Sequence, residues 1–386
     1  MKTSVKIVLI LLILGVLTEA GYLIYKKFFK TQKSETVSLS KKVSIPDNLL
    51  ANKFGFLSGG EKDTDFIKSV GAGWVRPDSP FLWDSMQKSK TSDIDFSKTD
   101  ALVSKYQEKD LAILATIWPF ADWDQKTKTN WSKCQVSSSD ENLPQNNKKG
   151  RDSYLPLYRC NPSDWNLYLS WVKAVVERYD GDGIGDMPDL KIPIKYWEIM
   201  NEPDLEGNDT LDFYKEGAAA YTQLLIKTSQ AIREADSEAK ILIAGAAGGS
   251  DRFLNFYKTV FSNPQAQSAF DIGNVHCISN DSFQSFNVEP YKKLLLKYKL
   301  EKPIWVTEAE AMVSSNPDAN ASQTFSSTKK ALSLGTERIF FTRYEFEISS
   351  NKLPPKQEAA IKVSEEIDGS DPVKAYQQII SQSESE

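Results

Sequence analysis

Histidine is almost missing: His276 is the only one in 386 residues. A histidine-rich metal site is therefore excluded, and a serine–histidine triad would have to use that one side chain. Cysteine is scarce as well. Cys134, Cys160 and Cys277 are the three, and no Cys-x-x-Cys or Cys/His spacing among them points to zinc. Charge of one sign is lacking too. A net charge of -5 gives no electrostatic reason to expect a nucleic-acid partner. No internal repeat is visible.

What is present suits a soluble body with a sizeable core: 40% hydrophobic and 26% charged residues. Nine Trp, fifteen Tyr and nineteen Phe are many. Aromatic faces stack on sugar rings and also fill cores, so the count alone favours neither use.

The amino end stands apart. Ile7 to Leu17 is an unbroken apolar run preceded by Lys2 and Lys6, and a second patch, Gly21 to Tyr25, precedes Lys26, Lys27 and Lys30. The first run alone has signal-peptide length, with Thr18-Glu19-Ala20 as a cleavage site. Both together reach the roughly twenty residues of a membrane span, which favours an uncleaved anchor through residues 7–25. The expected organisation is a signal-anchor segment at 1–30, a Ser/Lys-rich linker at 31–43, one domain over 44–382 and a disordered tail at 383–386. Either version of the amino end places the body outside the cytoplasm, anchored or secreted.

From about Ser44, short apolar runs alternate with amphipathic ones. Phe54–Leu57, Trp74–Arg76, Ala112–Thr116, Tyr196–Met200, Ile241–Ala244, Ile272–His276, Ile304–Thr307 and Ile339–Phe341 read as strands. Their continuous apolar character marks parallel strands covered on both faces. Helical periodicity fills the gaps: near Thr64–Val70, Ser97–Glu108, a helix capped by Ser163, one carrying Tyr221 and Leu225, then Asp251–Phe261, Tyr291–Leu296, Thr324–Leu334 and Pro372–Ile380. Eight strands alternating with eight helices is the count of a (β/α)8 TIM barrel, an α/β fold. The long connection from Trp118 to Asn161 follows the third strand, on the face where barrels carry their sites. In an exported protein Cys134 and Cys160 could staple it; the alternative is two free thiols.

Two strands end in carboxylates. Lys195-Tyr196-Trp197-Glu198-Ile199-Met200-Asn201-Glu202-Pro203 runs into a proline that stops the ladder, so Asn201 and Glu202 sit at a strand's carboxyl end. Pro303-Ile304-Trp305-Val306-Thr307-Glu308 has the same layout. Strand ends of a barrel converge on one pocket. Two glutamates there are what a two-carboxylate glycosidase needs, one protonated and one ionised. Repulsion between close carboxylates helps to separate those roles. Glu310 rivals Glu308, two residues on. Glu198, in step with Glu202 along the strand, reads as a structural acid satisfied inside the barrel.

These motifs resemble clan A glycoside hydrolases. Trp197 to Pro203 looks like their fourth-strand signature, Trp305 to Glu308 like the seventh, Phe270 to His276 like the sixth and Trp74-Val75-Arg76 like the second. Families 39 and 5 look nearest. The resemblance implies a retaining mechanism with Glu202 as acid/base and Glu308 as nucleophile. It also implies Asn201 on the sugar hydroxyl next to the anomeric carbon, Arg76 beneath the nucleophile, and His276 lining the pocket. Trp118, Trp123 and Tyr344 are candidate sugar platforms or ordinary packing. The substrate class implied is an oligo- or polysaccharide, with no cofactor.

Two positions depart from the pattern. Ile278 stands where the clan often carries a tyrosine, and Arg343-Tyr344-Glu345 occupies the region of the eighth-strand tryptophan. A catalytically weak or inactive carbohydrate-binding barrel at the cell envelope is the alternative these departures raise. Asp180, Asp182 and Asp186 look like part of a calcium loop, without its closing glutamate. Gly181 equally fits a helix C-terminus after Tyr179.

Overall fold

A computed structural model describes residues 41–58, 63–78, 80–136, 155–205, 212–277, 283–348 and 366–384. The strands are β1 Phe54–Ser58, β2 Trp74–Pro77, β3 Ala112–Ile117, β4 Tyr196–Ile199, β5 Lys240–Ile243, β6 Gly273–Cys277, β7 Ile304–Ala309 and β8 Thr336–Phe341. They form one all-parallel sheet in the order β5-β4-β3-β2-β1-β8-β7-β6. Bridges between Leu242 and Ile272 and between Ala246 and Val275 close β5 on β6. The result is the expected (β/α)8 barrel.

A helix follows each strand: α1 Asp63–Ser69, α2 Ser97–Glu108, α3 Trp165–Tyr179, α4 Gly217–Ala235, α5 Asp251–Phe261, α6 Val288–Lys297, α7 Pro317–Ser333 and α8 Pro372–Glu384. In α3, the buried residues Tyr168, Trp171, Val172, Val175, Val176 and Tyr179 fall three or four apart, one apolar stripe against the sheet. Its cap differs from expectation. Asp164, not Ser163, accepts the Leu167 amide. The Ser163 and Asp164 amides are themselves held by the Asp124 carboxylate, at 2.6 and 2.9 Å. The last helix runs to Glu384 and buries Ser383.

The barrel interior is layered. At the amino ends of the strands Trp74, Tyr196 and Trp305 pack ring against ring, with centroids 4.9–5.8 Å apart. The Arg338 guanidinium lies 4.0 Å from the Trp74 centroid and 4.5 Å from that of Trp305, and donates to the Leu50 and Asn52 carbonyls. Burial lowers its pKa to about 10. The segment around Ile45 and Leu49 covers this floor, and Leu49 accepts the Trp74 indole N–H. Above the floor the interior becomes polar, and the strand ends open there.

Cys134 and Cys160 form a disulfide across 26 residues, while Cys277 is buried and lies outside the bridge. Gln125 pairs with both the amide and the carbonyl of Cys160, so the bridge is tied back to the short helix after β3. Among the described residues no helix is long and apolar enough to cross a membrane. The apolar run at 7–25 and the linker up to residue 40 lie outside those residues, so the expected anchor is not described.

Joining two cysteines 26 residues apart restricts the unfolded chain. Replacing both with serine is expected to lower the unfolding free energy by about 3 kcal/mol in urea titration. Unchanged stability would mean that the bridge adds nothing.

Candidate active site

Arg76 is the centre of the polar interior. It projects from β2 and is 4% exposed. Its Nε donates to Glu198 at 2.7 Å, its Nη1 to Glu308 at 2.8 Å and its Nη2 to the Asn201 side-chain oxygen at 2.6 Å. A guanidinium presents donors in a fixed fork, so one side chain sets three acceptors from β4, β7 and the turn after β4. Burial alone would lower its pKa, but Glu198 and Glu308 outweigh that and raise it, so the charge is permanent.

Glu198 is the structural acid expected from strand alternation. It is wholly buried and takes hydrogen bonds from Arg76, Thr116 at 2.6 Å and Asn274 at 2.7 Å. Thr116, Asn274 and Thr307 complete this layer, with Thr307 donating to the Asn274 oxygen at 2.9 Å. No role was assigned to them from sequence, although Asn274 and Thr307 lie within the strand motifs, because a lone Thr or Asn in an apolar strand has no diagnostic spacing.

Two irregularities aim the upper carboxylates. Met200 and Glu202 have φ of 73° and 40°, a left-handed backbone that side-chain-bearing residues rarely adopt. It turns the chain abruptly past β4 and brings Asn201 to Arg76. On β7, Val306 pairs with Val275, but the next pair is His276 with Glu308. The register against β8 slips at the same place. This bulge adds one residue, so Thr307 and Glu308, consecutive in the chain, both reach interior partners. Strict alternation would have turned one of them outward.

The site residues then converge. His276 on β6 is fully buried, with Nδ1 2.8 Å from Glu202 and 3.7 Å from Glu308, and Nε2 2.7 Å from the Thr307 hydroxyl. One oxygen of Glu202 and one of Glu308 lie within 4.8 Å of each other and of a His276 nitrogen. The ring fits because residue 245 is glycine: a Cβ there would fall 2.1 Å from Nε2.

Burial raises the Glu202 pKa to about 8; Arg76 pulls it down and Glu198 pushes it up. Burial raises Glu308 as well, but Arg76, in direct contact, acts against it. Burial lowers His276 and keeps the imidazole neutral; Glu308 and Glu198 act the other way, and Arg76 with burial. One protonated carboxyl group thus faces one carboxyl group held by a cation. That pair can deliver a proton and a nucleophile to opposite sides of one bond. The same trio could bracket a metal ion, but the guanidinium on Glu308 opposes a second cation there.

The other candidates fall elsewhere. Glu310 pairs with Arg343 at 2.9 Å and accepts from Thr342, so it is no rival to Glu308. Trp118 directly follows β3, and its ring packs against Phe120 and Phe213. Trp123 is used in packing: it sets its edge on Trp83, donates to the Gln87 carbonyl and lines a surface cavity of about 530 Å³ with Trp165. Tyr344 is also a packing residue, stacked on Phe56 beside Phe66 and donating to the Leu57 carbonyl. Both rings are engaged by the protein, as in the packing alternative. Ile278 lies outside the described residues.

The calcium reading gains no support. Asp180, Asp182 and Asp186 do approach one another. However, Asp186 accepts the Gly181 and Gly183 amides, Asp180 that of Asp182, and Asp182 that of Ile184. The loop is a turn closed by its own backbone, and burial raises Asp180 to about 7.

Residues 160–362 match the model of a family described as the glycosyl hydrolase catalytic core. The chain belongs to that family, and it is a glycosidase. Its fold is similar to a GH39 β-xylosidase from Caulobacter crescentus, with a TM-score of 0.55 and 16% identity over 89% of this chain and 74% of that one. It is also similar to a glucosidase from Croceicoccus marinus, at 0.53 and 14% over 90% and 68%. A GH30 endoxylanase from Clostridium papyrosolvens follows at 0.51 and 13%, over 89% and 74%. At these identities the neighbours speak to fold alone. No curated protein matches the chain by sequence.

Removing Arg76 leaves Glu198 buried with its charge uncompensated. The Arg76→Met variant is expected to lose about 3–5 kcal/mol of stability by denaturant titration. A loss below about 1 kcal/mol, the size of an exposed pair, would contradict the pairing described.

Proposed function

We propose that this glycosidase hydrolyses β-linked glycosides of oligo- or polysaccharides with retention of configuration, Glu308 being the nucleophile and Glu202 the acid/base. The observation that carries this reading is the approach of the two carboxylates to within 4.8 Å. Retaining enzymes hold the pair about 5–5.5 Å apart, and inverting ones need roughly 6.5–9.5 Å to admit a water. In the first step Glu308 attacks the anomeric carbon while the bond to the leaving oxygen breaks and Glu202 gives that oxygen its proton. In the second, water attacks the glycosyl ester, Glu202 takes the water's proton, and the Glu308 carboxylate is released. Asn201 turns its oxygen to Arg76, so its NH2 group is the end available to the neighbouring sugar hydroxyl. The xylosidase and xylanase among the fold neighbours favour a β-linked substrate. The disulfide supports a site of action outside the cytoplasm, reached through the apolar amino end.

The reading is tested with aryl β-xylosides, β-glucosides and β-mannosides. Glu308→Ala is expected to abolish turnover. Glu202→Gln is expected to lower kcat/KM by about 10²–10⁴ for leaving groups that need a proton, and far less for those that do not. Because the acid must be protonated and its pKa is raised to about 8, wild-type kcat/KM is expected to fall as pH rises through about 8. Tight oligosaccharide binding without turnover would instead support a binding barrel.

A further inference from the structure

The acid at residue 202 needs its proton in place before a substrate arrives. We infer that a buried hydrogen-bond chain, Arg76–Glu198–Asn274–Thr307–His276, fixes the tautomer of His276 and thereby places that proton on Glu202. The inference rests on the reading of Glu202 as the acid/base.

The links as far as His276 Nε2 run one way, Thr307 having its shorter acceptor in Asn274 (2.9 Å) and a longer one in Glu198 (3.4 Å). The last follows for the neutral ring that burial favours. Arg76 can only donate, so Glu198 accepts, and Thr116 donates to the same oxygen. The other Glu198 oxygen lies 2.7 Å from the Asn274 amide. With Glu198 ionised against Arg76, that end of Asn274 must be its NH2 group. The Asn274 oxygen therefore faces Thr307 at 2.9 Å and accepts its hydroxyl proton. Thr307 has no second proton, so at 2.7 Å it can only accept from His276 Nε2–H. A neutral imidazole protonated on Nε2 has a bare lone pair on Nδ1. Glu202 sits 2.8 Å from that lone pair. Two acceptors do not meet at this distance, so the Glu202 oxygen carries the hydrogen.

Thr307, Asn274 and His276 are thus positioning residues that act through Glu202. Once Glu202 has given up its proton, its carboxylate faces the Nδ1 lone pair. That repulsion restores its basicity for taking a proton from the attacking water. The charged and titratable groups around Glu202 are Arg76 from β2, Glu198 from β4, His276 from β6 and Glu308 from β7. Tyr257 on α5 feels its charge from a greater distance, and donates to the Ala244 carbonyl.

The single histidine makes the test direct. The untagged full chain, labelled with ¹⁵N-histidine, gives one imidazole to observe by NMR. The expected state is neutral with Nε2–H from about pH 5 to 8, the range where an ordinary histidine titrates. An Nδ1–H tautomer or an imidazolium in that range overturns the inference without any appeal to turnover. As a second arm, Thr307→Val removes the acceptor of Nε2–H, which frees the ring to donate from Nδ1 to an ionised Glu202. The alkaline limb of kcat/KM is then expected to move down by about one pH unit, and Thr307→Ser to restore it. An unmoved limb in folded Thr307→Val overturns the chain. A wrong assignment of the acid would appear separately, as a Glu202→Gln enzyme indifferent to the leaving group.

Discussion

One buried guanidinium holds this site together. Arg76 is bonded to acceptors on β4, on β7 and in the turn after β4, from inside a barrel whose floor is aromatic. Three glutamates share that interior, and like charges so close cannot all be ionised unless cations or protons offset them. Arg76 offsets Glu198 and Glu308 by direct contact. Glu202 is left to bind a proton. Two carboxyl groups of the same chemistry thus acquire opposite states from their surroundings alone.

The barrel delivers these groups by breaking its own regularity. A bulge lets Thr307 and Glu308 both serve the interior, and left-handed residues at 200 and 202 fold the end of β4 over it. Irregular backbone of this kind costs on the order of 1–3 kcal/mol per residue and persists only where the surroundings fix it. Here they do: Arg76 holds Asn201, His276 holds Glu202, and Gly245 leaves room for the imidazole.

Much of the architecture was legible because parallel strands buried on both faces read as unbroken apolar runs, and all eight stand where those runs are. Glu198 was legible as a structural acid because a period of two puts it in step with Glu202. Glu308 was not legible that way, since the bulge that turns it inward has no sequence signal; its place at a strand end and its motif pointed to it. The polar layer of Thr116, Asn274 and Thr307 escaped notice because its meaning lies in contacts between strands far apart in the chain. The cap of α3 was misplaced by one residue because Ser163 and Asp164 are both good caps; the Ser163 hydroxyl bonds Thr127 instead, and Asp164 takes the Leu167 amide. Trp123 and Tyr344 were ambiguous by nature, since an aromatic ring reads the same in a loop, a core or a sugar site.

The central claim is that the cation-held Glu308 and the protonated Glu202 stand close enough for a covalent glycosyl intermediate between two displacements. The most direct measurement is the configuration of the first product. Proton NMR of an aryl β-glycoside reaction, recorded before mutarotation, is expected to show the β-anomer appearing first. An α-anomer appearing first would mean direct displacement by water and would contradict the account.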